Sequence, residues 1–291
     1  MVVRIASVVT DSGDRPAVVD PRRGVALVER LAPDHAGDLM SVLDEKMIEL
    51  LDERCASAVD GLFRPVHDVR FAAPYRAPAK IWGIGLNYRD HAGDLRSPVP
   101  DEPASFLKAN HTIIGPGDEI VLPPAELTER VTSEAELGIV IGKYCRNVSE
   151  ADALDYVWGL TPILDQTAED LILRNPRFLT RSKNFPTFFS FGPVVIPIRE
   201  VLTAFGSLGE IEVRTVKNGE VASRDVVSNM TFSPAYLVSF HSRMMPLYPG
   251  DIISPGTPGA TVIADGDVVR CEIPGIGILE NPVRKARHGD Y

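Results

Sequence analysis

The stretch 133–142, SEAELGIVIG, carries the pattern that decides the fold. Successive side chains of a β-strand point to opposite faces, so Glu134 and Glu136 project to the same side of this predicted strand. An apolar run follows them, which places both carboxylates at the edge of a core. Two adjacent like charges are unfavourable there unless a cation binds between them. The stretch therefore indicates a core strand with a candidate cation site on one face.

Similar short apolar runs recur from residue 81 onward, each bounded by Gly or Pro. This appearance is typical of β-strands separated by turns. The chain has 23 Gly and 24 Pro in 291 residues, a high content that favours many turns. Helices are fewer, and two are predicted at 149–157 and 230–244. We expect an α+β fold dominated by an antiparallel or mixed sheet that closes or folds on itself.

The first 70 residues form a smaller predicted unit. Two predicted strands precede a helix near 39–56, where apolar residues recur at helical spacing and Ser41 is the candidate N-cap. The proline-punctuated segment 72–78, AAPYRAP, follows. We therefore expect a small N-terminal α/β domain, residues 1–72, and a larger second domain, residues 73–291.

The chain is acidic, with 40 Asp and Glu against 30 Lys and Arg and a formal net charge of −10. Negative charge repels phosphate backbones, so we expect no nucleic-acid partner. We also expect no membrane association, because no apolar stretch has the length of a signal peptide or a transmembrane helix. The three cysteines, Cys55, Cys145 and Cys271, are odd in number and far apart. They favour buried thiols and a cytoplasmic location.

A third acid extends the candidate cation site. Asp165, in TPILDQTAED, follows an apolar run 29 positions after Glu136, as if at the end of a neighbouring strand. Three carboxylates without nearby Cys or His suit a hard cation such as Mg²⁺ or Mn²⁺. The residues alone leave open that these are three solvated acids in an acid-rich chain.

A candidate catalytic pair follows the predicted strand IWGIGL. His91 and Asp94 are spaced i and i+3, so they can touch on a helical turn. A carboxylate that orients an imidazole makes a general base that can activate water. The alternative is a surface histidine beside an acid.

Two further segments carry candidate ligand-binding groups. Lys183, in RSKNF, places a cation before an aromatic stretch. The turn PGDIISPGTPG contains Gly256 and Thr257, where glycine lets backbone amides approach a ligand and the threonine hydroxyl can donate a hydrogen bond. An ordinary hairpin turn is the alternative. Neither a P-loop nor a complete dinucleotide-binding fingerprint occurs.

The order of these features resembles the fumarylacetoacetate hydrolase family over residues 80 to about 283. The matching segments are GLNYRDHAGDL, SFLKANHTIIGPGDEIVLP, SEAELGIVIGK, NVSEADALDYVWGLTPILDQTAED, RSKNF, FGPVV, VKNGE, PGDIISPGTPG and GIGIL. The resemblance implies that the second domain is catalytic and has a mixed β-roll or β-sandwich fold. It also implies that the protein forms a homodimer and acts on a small keto acid. It also implies that Glu134, Glu136 and Asp165 hold Mg²⁺ or Mn²⁺.

The resemblance further implies roles for individual residues. His91 and Asp94 match the family's H-x-x-E pair, and Lys183 matches its catalytic lysine. Thr257 matches the threonine of its TGTP turn, and substrate binding is assigned to Thr257 together with Gly256 and Tyr88.

Three residues depart from the family pattern. Asp94 is one methylene shorter than the usual glutamate. Glu169 stands where many members have an arginine, which reverses a charge close to the site. Pro186 stands where many members have an aspartate.

The resemblance implies a metal-dependent hydrolase that cleaves a C–C bond in a 2,4-diketo acid, such as an acylpyruvate, through a metal-stabilised enolate. The alternative within enzymes is a decarboxylase or a keto–enol tautomerase or isomerase of an oxaloacetate-like acid, which needs no activated water. A non-catalytic protein that binds a metal and a ligand is the third hypothesis, because of the three departures.

Overall fold

The computed structural model describes residues 3–35, 37–89 and 100–290. Their secondary structure is mixed, and the fold class is α+β, as expected from the sequence. The strands are β1 (Arg4–Thr10), β2 (Gly13–Asp20), β3 (Gly24–Leu27), β4 (Phe71–Ala72), β5 (Ile81–Gly85), β6 (Ala104–Lys108), β7 (Ile113–Ile114), β8 (Ile120–Leu122), β9 (Val131–Ile141), β10 (Val157–Ala168), β11 (Phe189–Phe191), β12 (Val194–Pro197), β13 (Glu212–Lys217), β14 (Glu220–Val226), β15 (Ile252–Ser254), β16 (Ala260–Val262), β17 (Val268–Ile273) and β18 (Gly277–Lys285). The α-helices are α1 (Val28–Leu31), α2 (Leu39–Val42), α3 (Glu45–Ser57), α4 (Glu169–Arg174), α5 (Leu179–Lys183), α6 (Ile198–Phe205) and α7 (Pro234–Met244).

The strands form two sheets whose inner faces share a core. The larger sheet has the order β3-β2-β1-β12-β10-β9-β15-β5-β6, and the smaller has the order β14-β13-β17-β18-β8. The long strands β9 and β10 pair antiparallel along nearly their whole length. Buried side chains of these two strands, such as Leu137 and Leu160, belong to the same core as Val269 and Leu279 of the smaller sheet. This core holds β9 and β10 rigidly in register.

The N-terminal strands extend the larger sheet. Strand β1 pairs with β12, where Ile5 lies opposite Val195. A second core cluster brings Ile5 together with Leu51 of α3 and with Val140 and Ile163 of β9 and β10. The N-terminal unit therefore packs on the rest of the chain through a shared core, and the boundary between residues 72 and 73 stays a prediction.

The helix predicted near 39–56 is interrupted. It consists of α2 and α3, and each begins at its own aspartate cap. The carboxylate of Asp38 accepts a hydrogen bond from the Ser41 amide, and that of Asp44 accepts from the Lys46 and Met47 amides. Ser41 is therefore not the N-cap, because the aspartate carboxylates take up the free amides at both helix starts.

The prediction of an α-helix at 149–157 was wrong. Only a 3₁₀ turn at Ala153–Tyr156 forms there, and β10 begins directly after it at Val157. The capping interaction itself is present, since the Ser149 hydroxyl accepts a hydrogen bond from the Asp152 amide at 3.3 Å. The helix predicted at 230–244 is α7, which begins later, at Pro234, with Ser233 as its N-cap.

All three cysteines are buried and free of disulfides, as the sequence predicted. Among the described helices, none combines the length and apolar character that crossing a membrane requires.

A buried histidine makes the stability of this fold depend on pH. The His241 ring in α7 contacts the Leu237 carbonyl through Nδ1 at 2.8 Å and the Ser105 hydroxyl through Nε2 at 2.9 Å. Burial lowers the pKa of His241 below its usual value of 6.5. The imidazole of His241 therefore takes up a proton at a higher pH in the unfolded chain than in the folded protein. Consequently, the free energy of unfolding falls as the pH drops through the usual pKa of 6.5 and below it.

We expect His241→Gln to flatten this decline, measured by denaturant unfolding between about pH 8 and pH 5.5. The control is His67→Gln, since the His67 side chain is 84% exposed and its removal should leave the wild-type slope. An unchanged slope in His241→Gln would assign the pH dependence to another group.

Candidate metal centre

The register of β9 and β10 brings three acids together. Asp165 lies directly opposite Glu134, and Glu136 is two residues further along β9 on the same face. One oxygen from each carboxylate can be chosen so that all three atoms lie within 4.8 Å of one another. The sequence prediction that these side chains form one cluster therefore agrees with their positions in the structure.

The cluster is buried. Glu136 and Asp165 are 1% and 0% exposed. The Ser254 hydroxyl and the Gly256 amide donate hydrogen bonds to Oε2 of Glu136, at 2.5 and 2.9 Å. Burial, and after it the charge of Asp165, raise the pKa of Glu136 to about 8. The carboxylates thus lie close together in a place where their mutual repulsion is poorly screened.

Lys183 compensates part of this negative charge. Its ammonium donates to Oε2 of Glu134 at 2.9 Å and to Oδ2 of Asp165 at 2.8 Å. Burial alone would lower the pKa of Lys183, but the charges of Asp165 and Glu134 outweigh it and raise the pKa above its usual value. Lys183 therefore stays positively charged beside the acids, as expected for a group that stabilises negative charge.

Lys108 is a second buried lysine at the cluster, and the sequence analysis did not identify it. Its ammonium donates to Oδ1 of Asp165 and, at 3.2 Å, to the Gln166 carbonyl. Burial lowers the pKa of Lys108 to about 8, because the attraction of Asp165 does not fully compensate for desolvation. One signal in the sequence could have indicated that Lys108 is buried. It lies two residues after Phe106, so on strand β6 both side chains point to the same, buried face.

The glycine turn contributes its backbone to the cluster. Gly256 has a φ of +106°, and a Cβ there would approach the Asn87 Cβ to 2.9 Å. Only glycine fits this conformation, and it lets the Gly256 amide reach Glu136. The Thr257 hydroxyl donates to the Gly259 carbonyl at 3.0 Å. This turn is therefore held rigidly against the acids.

The remaining predicted site residues differ in how far the structure describes them. Tyr88 is buried, and its hydroxyl has no hydrogen-bond partner among the described residues. His91 and Asp94 lie outside the described residues. Pro186 lines a different surface hollow, together with Glu119 and Arg284.

The chemistry of the donor set fits a hard divalent cation. Among the residues that the structure describes, the three candidate ligands are all carboxylates, and the group includes neither His nor Cys. Such oxygen donors suit Mg²⁺ or Mn²⁺, whereas Zn²⁺ sites generally include nitrogen or sulfur. A cation at this cluster would also offset the repulsion between buried carboxylates.

A cavity of about 320 Å³ opens beside the cluster. Glu134, Lys183 and Thr257 line this cavity, together with the hydroxyl-bearing Thr132 and Thr167. The cavity therefore gives a small ligand direct access to Glu134 and to the charged lysine.

Removing one buried carboxylate should weaken cation binding. We expect Glu136→Gln to lower the affinity for Mn²⁺ by about tenfold or more, because one charged ligand is lost. Isothermal titration calorimetry measures the affinity, and Glu126→Gln, at an exposed acid, is the matched control. Equal affinities in Glu136→Gln and the wild type would exclude this cluster as the metal site.

Comparison with known proteins finds relatives that align with most of this chain. The model of the C-terminal region of fumarylacetoacetate (FAA) hydrolase matches residues 80–284. An uncharacterized protein of Archaeoglobus fulgidus is 42% identical over 227 residues, which are 78% of this chain and 86% of that protein. The mitochondrial oxaloacetate tautomerase fahd2 of Xenopus laevis is 37% identical over 225 residues, 74% of this chain and 69% of that protein.

Solved structures agree with this assignment. The fumarylacetoacetate hydrolase of Exiguobacterium antarcticum has a TM-score of 0.82 at 28% identity, covering 98% of this chain and 100% of that chain. The maleylpyruvate hydrolase of Sphingobium, solved with manganese(II) and pyruvate, has a TM-score of 0.80 at 25% identity, covering 98% and 100%. With the family model matching most of its length, this chain belongs to the fumarylacetoacetate hydrolase family.

Proposed function

We propose that this chain is a metal-dependent keto–enol tautomerase of a 2-oxo acid whose C3 hydrogens are activated by a second carbonyl, as in oxaloacetate. The observation that carries the proposal is the buried cluster of three carboxylates with the charged Lys183, of which Glu134 and Lys183 line a cavity. Tautomerisation passes through an enolate, so its main requirement is a site that stabilises negative charge on the 2-oxo oxygen.

Different residues of the chain would contribute to stabilising the enolate. Glu134, Glu136 and Asp165 would hold Mg²⁺ or Mn²⁺, which supplies Lewis acidity toward the substrate when bound. Lys183 lines the cavity and keeps its proton, so it can donate a hydrogen bond to the oxygen on which charge develops. Lys108 donates to Oδ1 of Asp165, the oxygen that Lys183 does not contact, and so orients this carboxylate. Thr257 and the amides of its turn would bind the substrate carboxylate.

Relatives support this choice over C–C bond hydrolysis. The Xenopus laevis relative named above is an oxaloacetate tautomerase. The mitochondrial oxaloacetate tautomerase FAHD2B of Homo sapiens is 33% identical over 269 residues, 89% of this chain and 84% of that protein. The same site geometry would serve a tautomerase without any need to activate water.

Lys183 should be essential for tautomerisation. We expect Lys183→Met to lower kcat by about 10²-fold or more, because it removes the group that stabilises the developing charge. The rate is measured from the disappearance of the enol absorbance with Mg²⁺ or Mn²⁺ present, and EDTA should abolish it. Lys217→Met, at a lysine whose side chain is 35% exposed, is the control. Full activity in Lys183→Met, or in the presence of EDTA, would contradict the mechanism.

Hydrolysis of an acylpyruvate is the second candidate, favoured by one comparison. The Sphingobium structure holds manganese(II) and pyruvate and belongs to a maleylpyruvate hydrolase. Cleavage requires a base that activates water in addition to the enolate-stabilising groups. In this chain the proposed base is His91 oriented by Asp94.

His91→Ala separates the two candidates. We expect it to lower any acylpyruvate cleavage by about 10²-fold, because general-base catalysis is lost. Tautomerisation should change by no more than severalfold. Chromatography of the products distinguishes cleavage, which gives two fragments, from tautomerisation, which gives one. Wild-type cleavage rates in His91→Ala would show that the pair does not activate water.

A further inference from the structure

A buried asparagine ties the glycine turn to the segment that precedes α7. The Asn87 side chain is 1% exposed. Its Nδ2 donates to the Pro255 carbonyl at 2.7 Å and to the Phe232 carbonyl at 3.0 Å. Its Oδ1 accepts a hydrogen bond from the Phe232 amide at 2.8 Å, and its backbone carbonyl accepts one from the Thr231 amide at 2.7 Å. These contacts fix the position of Asn87, and the Pro255 carbonyl is the part of the turn that it holds.

The Pro255 carbonyl shares a peptide unit with the Gly256 amide, and this unit lies between two side chains. Its oxygen accepts the hydrogen bond from Asn87, while its N–H donates to Oε2 of Glu136 at 2.9 Å. In this trans peptide the C=O and the N–H point in opposite directions, so a contact with one fixes the direction of the other. Asn87 therefore contacts the far side of the same peptide unit that contacts the buried carboxylate.

The glycine makes it necessary to hold this unit. Gly256 has a φ of +106°, and a residue without a Cβ adopts positive and negative φ about equally readily. If the Pro255–Gly256 unit turned over, its carbonyl oxygen would face Glu136 in place of the N–H. The carboxylate would then lose a charge-assisted hydrogen bond and meet a second negative dipole. The orientation of this one peptide unit therefore decides whether the turn stabilises Glu136 or repels it.

We propose that Asn87 is a positioning residue of the metal centre, which keeps the Gly256 N–H directed at Glu136. The Gly256 N–H and the Ser254 hydroxyl both donate to Oε2 of Glu136, so the carboxylate is oriented with Oε1 available to a cation. Asn87 acts on the cation through this peptide unit. The proposal rests on the proposed function, in which Glu136 is a metal ligand.

Two variants of Asn87 remove its amide donor in different ways. Asn87→Leu has a similar shape and lacks every polar group, whereas Asn87→Asp keeps an acceptor for the Phe232 amide. We expect each to lower the affinity for Mn²⁺ by about tenfold or more, the usual effect of losing a group that orients a metal ligand. Isothermal titration calorimetry measures the affinity at a temperature where circular dichroism shows each variant folded. An ionised aspartate would by its charge alone tighten cation binding, so weaker binding in both variants is assigned to the lost donor.

Asn281 provides a matched control. It is 0% exposed, and its Nδ2 likewise donates to two backbone carbonyls, those of Gly115 and Asp118, both at 2.8 Å. It lies on β18 of the smaller sheet. Asn281→Leu should lower the melting temperature as Asn87→Leu does, because both leave buried carbonyls unpaired, but it should retain the wild-type affinity for Mn²⁺.

A second readout needs no metal. Labelling with ¹³C at the proline carbonyl and ¹⁵N at glycine restricts the NMR spectrum to Pro–Gly peptides, and the signal that Glu136→Gln displaces most is assigned to Gly256. The proton of an amide that donates to a carboxylate resonates downfield, because such hydrogen bonds are short and strong. In the metal-free protein, both Asn87 variants should move the Gly256 signal upfield, and Asn281→Leu should leave it in place.

The outcomes separate this inference from the proposed function. Wild-type Mn²⁺ affinity in both Asn87 variants, or a Gly256 signal at its wild-type position in both, would overturn the inference and leave the tautomerase intact. An equal loss of affinity in Asn281→Leu would overturn it as well, because general destabilisation would then account for the effect. Absence of Mn²⁺ binding to the wild type would overturn the proposed function, and with it the role of Asn87 at a metal.

Discussion

Three carboxylates buried within a few ångströms of one another are the constraint on which this site depends. Water cannot screen their repulsion, so the fold must supply positive charge from its own residues. Lys183 and Lys108 do so from two sides, and they meet at Asp165, where each contacts a different carboxylate oxygen. Loss of either lysine would leave the three acids with a single buried ammonium, and buried charge without sufficient compensation is among the costliest defects in a protein interior.

This constraint explains why the longest strands lie where they do. Strands β9 and β10 carry the acids on one face, and their paired length fixes Glu134 opposite Asp165. The strands that complete the site join from elsewhere in the chain: β15 leads to Ser254 and Gly256, and β6 carries Lys108. The apolar core beneath the two long strands therefore serves as a rigid support for a polar cluster.

The parts of the site that sequence reasoning found are those with a local pattern. Glu134 and Glu136 follow the period of two that a strand imposes, and Asp165 follows an apolar run. Lys108 has no such relation to the acids, since 57 residues separate it from Asp165 and only the sheet topology brings them together. The prediction of a helix at 149–157 was wrong because the wider structure, rather than the local pattern, decides this segment. The capping serine is present, but the start of β10 limits the segment to one turn.

The charges at the site can be counted from its described residues. With all three acids ionised, the triad and its two lysines together carry one net negative charge, and a divalent cation among them would leave one positive charge. A 2-oxo acid with a single carboxylate neutralises that charge as it enters. The lysines that make burial of the acids tolerable therefore also determine how much negative charge a substrate can bring.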